Sequence, residues 1–236
     1  MLIQIHAMRI RLIIVCVFCI TRVSAQTEKR YAVKMGEIPD KVIPAEAIYL
    51  SPGFTPGSVF LKNGSSSKQL LNYNSLLDEM DFINEQGDTL AIAEPAQLNS
   101  VEIDSIKFYY DLGYVQQIFA QGNYKLGIKP KWKQLPDKKT VGYGVGSSTG
   151  SIKTYSTINN GNGPIGKLKV AEDVLYIKEN SFYIGDKFNH FKRADKKNFY
   201  IFFGDKNITQ YLEGHRVDFN KEDDLKALLQ FCADSQ

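Results

Sequence analysis

The chain is poor in the residues that build disulfides, metal sites and nucleophilic centres. Three of its 236 residues are cysteine and three are histidine, and beyond residue 25 only Cys232, His190 and His215 remain. That part of the chain therefore has no internal disulfide and no C-x-x-C or H-x-x-x-H spacing. We predict no catalytic residue, no metal site and no cofactor. We also expect the apolar neighbours of Cys232 to bury it as a structural thiol.

Long hydrophobic runs are also absent, apart from one near the N-terminus that has the features of a secretion signal. Arg9 and Arg11 precede it without any acid, residues 12–20 are all apolar, and residues 23–25 are small enough for cleavage before Gln26. A run of nine residues is shorter than the roughly 20 that span a bilayer as a helix. We therefore expect export to the periplasm or the extracellular side of the envelope, with no transmembrane anchor.

Loss of this leader would remove the net charge of the chain. The formal charge of +3 equals the three arginines in residues 1–25, which hold no lysine and no acid. The rest of the chain is balanced, so we expect no nucleic-acid partner on the basis of charge.

Alternation of apolar and polar residues predicts a mainly β fold. Asn63-Gly64 is a hairpin dipeptide after the first alternating stretch, and residues 84–88 turn the chain again. Such short strands and turns predict an antiparallel meander that forms a sandwich or a partly open barrel. The expected strands lie near 59–61, 69–73, 80–82, 90–92, 101–103, 106–110, 115–120, 124–128, 174–177 and 182–184.

The period changes to that of a helix after about residue 195. Asp195 is expected to cap a first helix and Asn220 a third one, whose apolar face holds Leu225, Leu228, Leu229 and Cys232. The fold class is therefore α+β, mainly β, with short C-terminal helices. The expected organisation is a signal peptide (1–25), an N-terminal lead-in segment (26–56), an antiparallel β body (57–141), a Gly/Ser-rich flexible loop (142–166), further strands (167–194) and a helical C-terminal segment (195–236).

Charges are segregated along the sequence. Residues 69–106 hold eight acids and no Lys, Arg or His, which predicts an uncompensated, solvated negative surface; a calcium site is the less favoured alternative because the spacing is not that of an EF-hand. The acids are Asp78, Glu79, Asp81, Glu85, Asp88, Glu94, Glu102 and Asp104.

Basic residues interleave with aromatic ones in two other segments. This pattern can bind nucleic acid, an anionic lipid or a glycan, but we favour lysines that protect the edge of a sheet. Their expected specific use is attraction to the acidic segment of the same chain or to an acidic envelope partner. The first segment has Lys129, Lys131, Lys133, Lys138 and Lys139 around Trp132; the second has Lys187, His190, Lys192, Arg193, Lys196 and Lys197 around Phe188 and Phe191.

Two further patterns concern carbohydrate. Tyr109, Tyr110, Tyr114 and Tyr124 could stack on sugars, although strand aromatics more often pack in a core, which we favour. Asp88-Thr89-Leu90 and Asp104-Ser105-Ile106 resemble the Asp-Ser/Thr-aliphatic sequence at which Bacteroidota O-glycosylate exported proteins. The alternative is that both aspartates are turn residues.

Several runs of the chain together resemble a family of uncharacterised exported proteins of Bacteroidota. The resemblance covers most of the chain beyond the leader. It implies export, and it brings no catalytic or binding residue because none is assigned to that family. The runs are GSVFLKNG at 57–64, LNYN at 71–74, EMDFI at 79–83, GDTLA at 87–91, GNYKL at 122–126, GYG at 142–144 and VDFNKEDDL at 217–225.

Three functional hypotheses follow from the sequence, and the last is a small exported adaptor in an outer-membrane assembly. The first is an exported, non-enzymatic envelope protein that binds a partner, such as a protein or a glycan, or a small ligand. The second is a hydrolase of an envelope or extracellular glycan that uses two carboxylates of the acidic segment as acid and base. The hydrolase needs two carboxyl groups that face each other across a cleft.

Overall fold

The computed structural model describes residues 29–136 and 168–235, which form one open antiparallel sheet with helices before and after its main strands. The expected leader (1–25) and the expected flexible loop (142–166) lie outside the described residues. The eleven strands are β1 (Arg30–Val33), β2 (Thr55–Leu61), β3 (Ser66–Asn74), β4 (Glu79–Ile83), β5 (Thr89–Ala91), β6 (Leu98–Ile103), β7 (Ile106–Tyr110), β8 (Tyr114–Gln121), β9 (Tyr124–Pro136), β10 (Val174–Gly185) and β11 (Phe191–Arg193).

Most neighbouring strands in the sheet are also neighbours in sequence. The order is β1-β10-β9-β8-β7-β6-β2-β3-β4-β5, and β11 also pairs with β10. The mainly β fold, the antiparallel meander and the C-terminal helices are confirmed, and the sheet is single and not closed. Two pairings depart from the meander, because β2 rather than β5 lies beside β6 and β1 lies beside β10.

The local turn signals place the hairpins correctly. Gly64 has φ +87° in the turn between β2 and β3, as the Asn63-Gly64 dipeptide predicts. The expectation of two separate strands at 174–177 and 182–184 is wrong, because β10 runs unbroken between them. Its polar middle, residues 178–181, stays in the ladder by pairing with residues 129–132 of β9.

Within the described residues, five α-helices flank the strands of the sheet, and one 3-10 helix (Pro95–Gln97) precedes β6. The bounds of the α-helices are α1 (Pro39–Val42), α2 (Ala45–Ile48), α3 (Lys196–Phe203), α4 (Asp205–Gly214) and α5 (Glu222–Asp234). Asp195 caps α3 as predicted, since its Oδ1 accepts a hydrogen bond from the backbone N–H of Asn198 at 2.9 Å. The predicted cap at Asn220 is wrong, because α5 begins one residue later, after Lys221, which makes no side-chain cap.

The core has three clusters of buried side chains. One lies between α3–α5 and the ends of β9 and β10, where the predicted apolar face of α5 is completely buried. A second fills the region between β2, β3, β4, β6, β7 and β8, and a third packs α1 and α2 around Trp132. Cys232 is in the first cluster, and burial raises the pKa of its thiol to about 11, so the predicted structural thiol is confirmed. No helix in residues 29–136 or 168–235 is both long and apolar enough to cross a bilayer.

Candidate functional site

Alternate residues of β9 place a row of lysines on one face of the sheet. Directly paired residues of antiparallel strands point to the same face, and Lys129 and Lys131 pair with Ser181 and Glu179 of β10. Arg193 of β11 joins this face because it pairs with Tyr183, which in turn pairs with Gly127. We call this surface the basic face and define it by Lys125, Lys129, Lys131, Lys133 and Arg193.

Lys129 is a structural member of this face. Its Nζ lies 2.8 Å from Oδ2 of Asp78, and the two side chains are only 10% and 8% exposed. The Oδ1 atom of Asp78 accepts hydrogen bonds from the Tyr73 hydroxyl at 2.7 Å and from the backbone N–H of Tyr114 at 3.1 Å. The prediction of edge protection is wrong for Lys129, Lys131 and Lys133, because β9 lies inside the sheet between β8 and β10. Lys138 and Lys139 of the same basic segment lie outside the described residues.

The turn between β7 and β8 is shaped around this ion pair. Gly113 has φ +119°, and a Cβ atom there would lie 1.7 Å from Nζ of Lys129 and 2.2 Å from Oδ2 of Asp78. Only glycine fits such a position. The carbonyl of Leu112 accepts a hydrogen bond from Nζ of Lys129 at 3.1 Å, so the backbone of this turn contributes directly to the buried polar cluster.

Two other lysines of the basic face have local acceptors. Nζ of Lys133 lies 2.6 Å from Oε2 of Glu179, and Nζ of Lys125 donates to the backbone carbonyl of Asp186 at 2.9 Å. Burial lowers the pKa of Lys125, and the positive charge of Lys107 lowers it further, whereas the Asp186 carboxylate raises it.

Lys131 is the residue of this face whose side chain has no polar partner. That side chain is half-buried, and it makes no hydrogen bond or ion pair within residues 29–136 and 168–235. Burial lowers its pKa, and the neighbouring charges of Arg193 and Lys133 lower it further. Arg193 is held nearby by a hydrogen bond from its Nη1 to Oγ of Ser181 at 3.3 Å. An anion bound here would relieve this repulsion.

The expectation of an uncompensated acidic surface is wrong for three of the eight acids. Asp78 is paired with Lys129, and Glu102 is paired with Lys107 at 2.8 Å. Asp81 is 5% exposed and accepts a hydrogen bond from the Tyr49 hydroxyl at 3.1 Å. Burial and the Asp81 carboxylate together raise the pKa of Tyr49 to about 12. The predicted attraction between a basic residue and the acidic segment is confirmed at Lys129.

The contacts of the acidic residues disfavour two alternatives for the acidic segment, a hydrolase active site and a calcium site. Asp78 and Asp81 are used as buried acceptors, so they are poorly suited to serve as solvent-accessible acid and base. Within residues 29–136 and 168–235, no group of three or more His, Cys, Asp or Glu side chains is arranged to hold a metal ion.

The remaining carbohydrate patterns have structural roles. Tyr109 and Tyr114 are buried, and Tyr124 packs against Phe203 at 4.4 Å between ring centroids, so the core interpretation is confirmed for these three. Asp104 occupies the turn between β6 and β7 with φ +52°. The backbone of Asp88 closes the turn between β4 and β5, since its carbonyl accepts a hydrogen bond from the backbone N–H of Asn84. Both aspartates are turn residues.

An apolar cavity of about 290 Å³ lies at the far end of the sheet, between β2, β3 and β4. Val59, Leu71, Phe82 and Leu98 form part of its lining, and no charged side chain lines it. Ser65, Ser66, Ser67 and Gln69 also line it, so it joins apolar walls with a few polar groups, as specific ligand sites do. We place the candidate site on the basic face instead, because the charges there specify which kind of partner binds.

One sequence motif that can carry a nucleophilic serine was missed in the prediction that the chain has no catalytic residue. Residues 146–150 read Gly-Ser-Ser-Thr-Gly and match the G-x-S-x-G spacing around Ser148. In hydrolases that spacing joins an apolar strand to a helix, whereas here the sequence on its C-terminal side is rich in glycine, serine and asparagine. The stretch lies outside the described residues, and the spacing alone is weak support for catalysis.

The chain matches no known protein family, no curated protein and no solved structure. The candidate site therefore depends on the geometry of its own residues. The row of lysines in β9 was visible in the sequence, but the position of Arg193 beside Lys131 was not. That proximity requires the pairing of β11 with β10, which no local pattern predicts.

Proposed function

We propose that the protein is an exported, non-enzymatic envelope protein that binds an anionic partner on its basic face. The observation that carries the proposal is Lys131, a half-buried lysine beside Arg193 and Lys133 that makes no ion pair within the described residues. Glu179 pairs with Lys133 at 2.6 Å, so it neutralises that lysine rather than Lys131, and the charges of Lys131 and Arg193 that remain close together cost free energy. A bound anion recovers that free energy.

The chemistry of the face indicates what kind of group binds. Arg193 presents a planar guanidinium that can donate two parallel hydrogen bonds, and Lys131 adds a point charge next to it. Carboxylate, phosphate and sulfate groups match that arrangement. Such groups occur on acidic glycans, on acidic envelope proteins and on the headgroups of anionic lipids.

The export part of the proposal rests on the leader and on the resemblance to exported proteins of Bacteroidota. The measurement that tests it is the mass of the protein recovered from a bacterial envelope fraction. Loss of residues 1–25 supports export, and retention of the intact leader in the cytoplasm contradicts it.

The binding part is tested with dextran sulfate as the polyanion and neutral dextran as its control. We expect binding to dextran sulfate that weakens as salt rises. The double variant Lys131→Gln/Arg193→Gln is expected to bind about 30-fold more weakly, which corresponds to about 2 kcal/mol for two charge-assisted hydrogen bonds.

The matched control is Lys206→Gln/Arg216→Gln, which removes the same two charges from exposed positions in and just after α4. This control is expected to bind like the unchanged protein. Equal weakening of both double variants would mean that net charge, rather than the basic face, is responsible, and the proposal would be wrong.

A further inference from the structure

Leu112 is an exposed apolar residue at a turn position where the fold does not require leucine. It lies in the turn between β7 and β8, its side chain is 94% exposed, and its φ of +51° is in the left-handed region. Asn, Asp or Gly adopts this conformation more easily than leucine does. The contact of its backbone carbonyl with Lys129 explains the shape of the turn but not the choice of an apolar side chain.

Phe188 is presented in a similar way by the turn between β10 and β11. It is 67% exposed, and the turn below it is fixed by Asp186, whose Oδ1 accepts from the backbone N–H groups of Phe188 at 2.8 Å and His190 at 3.0 Å. Burial works to raise the pKa of Asp186, but these hydrogen bonds lower it below its usual range. The turn is therefore held as an ordered support for an exposed aromatic ring.

The two turns are neighbours in space. Oδ2 of Asp111 accepts a hydrogen bond from the backbone N–H of Phe191 at 2.5 Å, and the rings of Tyr109 and Phe191 are 5.8 Å apart. Asp111 adjoins Leu112, and Phe191 lies three residues after Phe188. We call Leu112 and Phe188 the apolar tips.

Positive charge lies beside Phe188. Nζ of Lys187 lies 5.0 Å from the centroid of the Phe188 ring, and Arg193 follows in strand β11 on the same face of the sheet as Lys131. Lys125 is bonded to the same turn through the carbonyl of Asp186. The basic face thus continues to the two tips.

We infer that the apolar tips insert into the surface of an anionic lipid bilayer while the adjacent basic residues contact its headgroups. This inference rests on the proposed function, because it names the anionic partner of the same basic face. Apolar side chains flanked by Lys and Arg gain from both the acyl region and the negative surface charge of such a membrane. The two contributions add, since one is apolar burial and the other is electrostatic.

A lipid surface fits these residues better than a soluble polyanion does. A polysaccharide rich in carboxylate or sulfate would satisfy the lysines but would leave Leu112 in water. Isolated tips on separate turns also differ from the continuous apolar centre of a protein–protein interface. Protruding single side chains can enter a bilayer, because lipids rearrange around them.

The experiment is co-sedimentation of the purified protein with vesicles of phosphatidylcholine that contain 0, 20 or 40% phosphatidylglycerol. We expect binding that rises with the anionic fraction and falls with salt. The variant Leu112→Asn/Phe188→Ser is expected to bind about 30-fold more weakly, because two partly inserted apolar side chains are lost. Asn suits the left-handed conformation at position 112, so the fold is preserved.

The matched control is Leu90→Asn/Ile201→Ser, which removes two apolar side chains that are 46% and 57% exposed on β5 and α3. Any uncleaved leader is present in all variants, so differences between them report on the tips. In a second readout, Phe188→Trp is expected to shift its emission to the blue on vesicles, measured against the buried Trp132 background.

The outcomes separate this inference from the proposed function. Weakened vesicle binding in the tip variant, with normal binding to dextran sulfate, supports both. Binding to dextran sulfate without any binding to anionic vesicles overturns the lipid inference and leaves the proposed function standing. Equal vesicle binding by the tip and control variants also overturns the inference, and absence of binding to both probes overturns the proposed function as well.

Discussion

The buried ion pair between Asp78 and Lys129 offers the sharpest test of how the structure is held together. We expect Lys129→Met to lower the free energy of unfolding by about 3 kcal/mol, because it leaves the Asp78 carboxylate, only 8% exposed, without a counter-charge. The two hydrogen bonds from Tyr73 and Tyr114 remain. They keep the loss at the lower end of the range of about 3–5 kcal/mol for breaking a buried pair.

The reverse change is expected to cost more. In Asp78→Asn, the Lys129 ammonium is left with the Leu112 carbonyl as its acceptor, so we expect a loss of about 4 kcal/mol. Asn tolerates the φ of +54° at this position, and backbone strain therefore adds little. The double variant Asp78→Asn/Lys129→Met is expected to be more stable than either single variant, because no unpaired charge is left.

The assay is urea unfolding followed by the fluorescence of Trp132, the single tryptophan of the chain. With a slope of about 3 kcal/mol per molar urea at most, a loss of 3 kcal/mol moves the midpoint by about 1 M or more. The control is Lys133→Met, whose pair with Glu179 is 34% and 37% exposed. It is expected to cost less than about 1 kcal/mol. A double variant whose loss equals the sum of the two single losses would refute the reasoning, since the residues would then be independent.

Two further predictions concern the tyrosines. Tyr73→Phe is expected to lower the free energy of unfolding in urea by about 1.5–3 kcal/mol, because the Tyr73 hydroxyl donates to the buried Asp78 carboxylate. Tyr114→Phe is expected to be neutral or stabilising, since the buried Tyr114 hydroxyl has no hydrogen-bond partner within the described residues. Equal losses in the two variants would contradict this. Burial raises the pKa of Tyr73, Tyr114 and Tyr49, the last to about 12, so the unfolded chain releases these protons near pH 10 while the folded chain keeps them. Their contribution to stability is therefore complete below about pH 10 and is lost as the pH rises further, by up to about 1.4 kcal/mol per pH unit for each group. The absorbance of tyrosinate at 295 nm should show that these groups titrate only when the protein unfolds. Titration of all 13 tyrosines near pH 10 in the folded protein would show the reasoning to be wrong.

Local signals were sufficient for the parts of the fold that local physics determines. The Asn63-Gly64 dipeptide placed the first hairpin, and the spacing of Leu225, Leu228, Leu229 and Cys232 identified the buried face of α5. These features depend on residues a few positions apart. Their backbone and burial preferences can therefore be read without knowledge of the rest of the chain.

Long-range pairing accounts for what could not be predicted. The polar residues 178–181 looked like a break between two strands, but pairing with residues 129–132 keeps them extended. The same kind of contact buries Asp78, which would be solvated in an isolated hairpin. A charge pattern shows that acids and lysines are segregated, but it does not show which lysine lies opposite which acid.

Only part of the candidate site could be predicted from the sequence, again because the rest depends on long-range pairing. Alternating lysines in β9 and aromatic residues near Phe188 could be seen in the sequence. The proximity of Arg193 to Lys131, and of Leu112 to the turn that holds Phe188, depends on the pairing of β11 and on one hydrogen bond between turns. Strand register sets these distances, and register is a property of the folded sheet.

The place of β1 in the sheet has a consequence for how the chain folds. β1 is the first strand of the described chain, yet it pairs only with β10, through contacts such as Arg30 with Ile177. Contacts between residues so far apart in sequence slow folding, because a long loop must close before they form. Of the described strands, β1 is thus synthesised first but paired among the last, and until it pairs, residues 174–177 of β10 stay open to other chains.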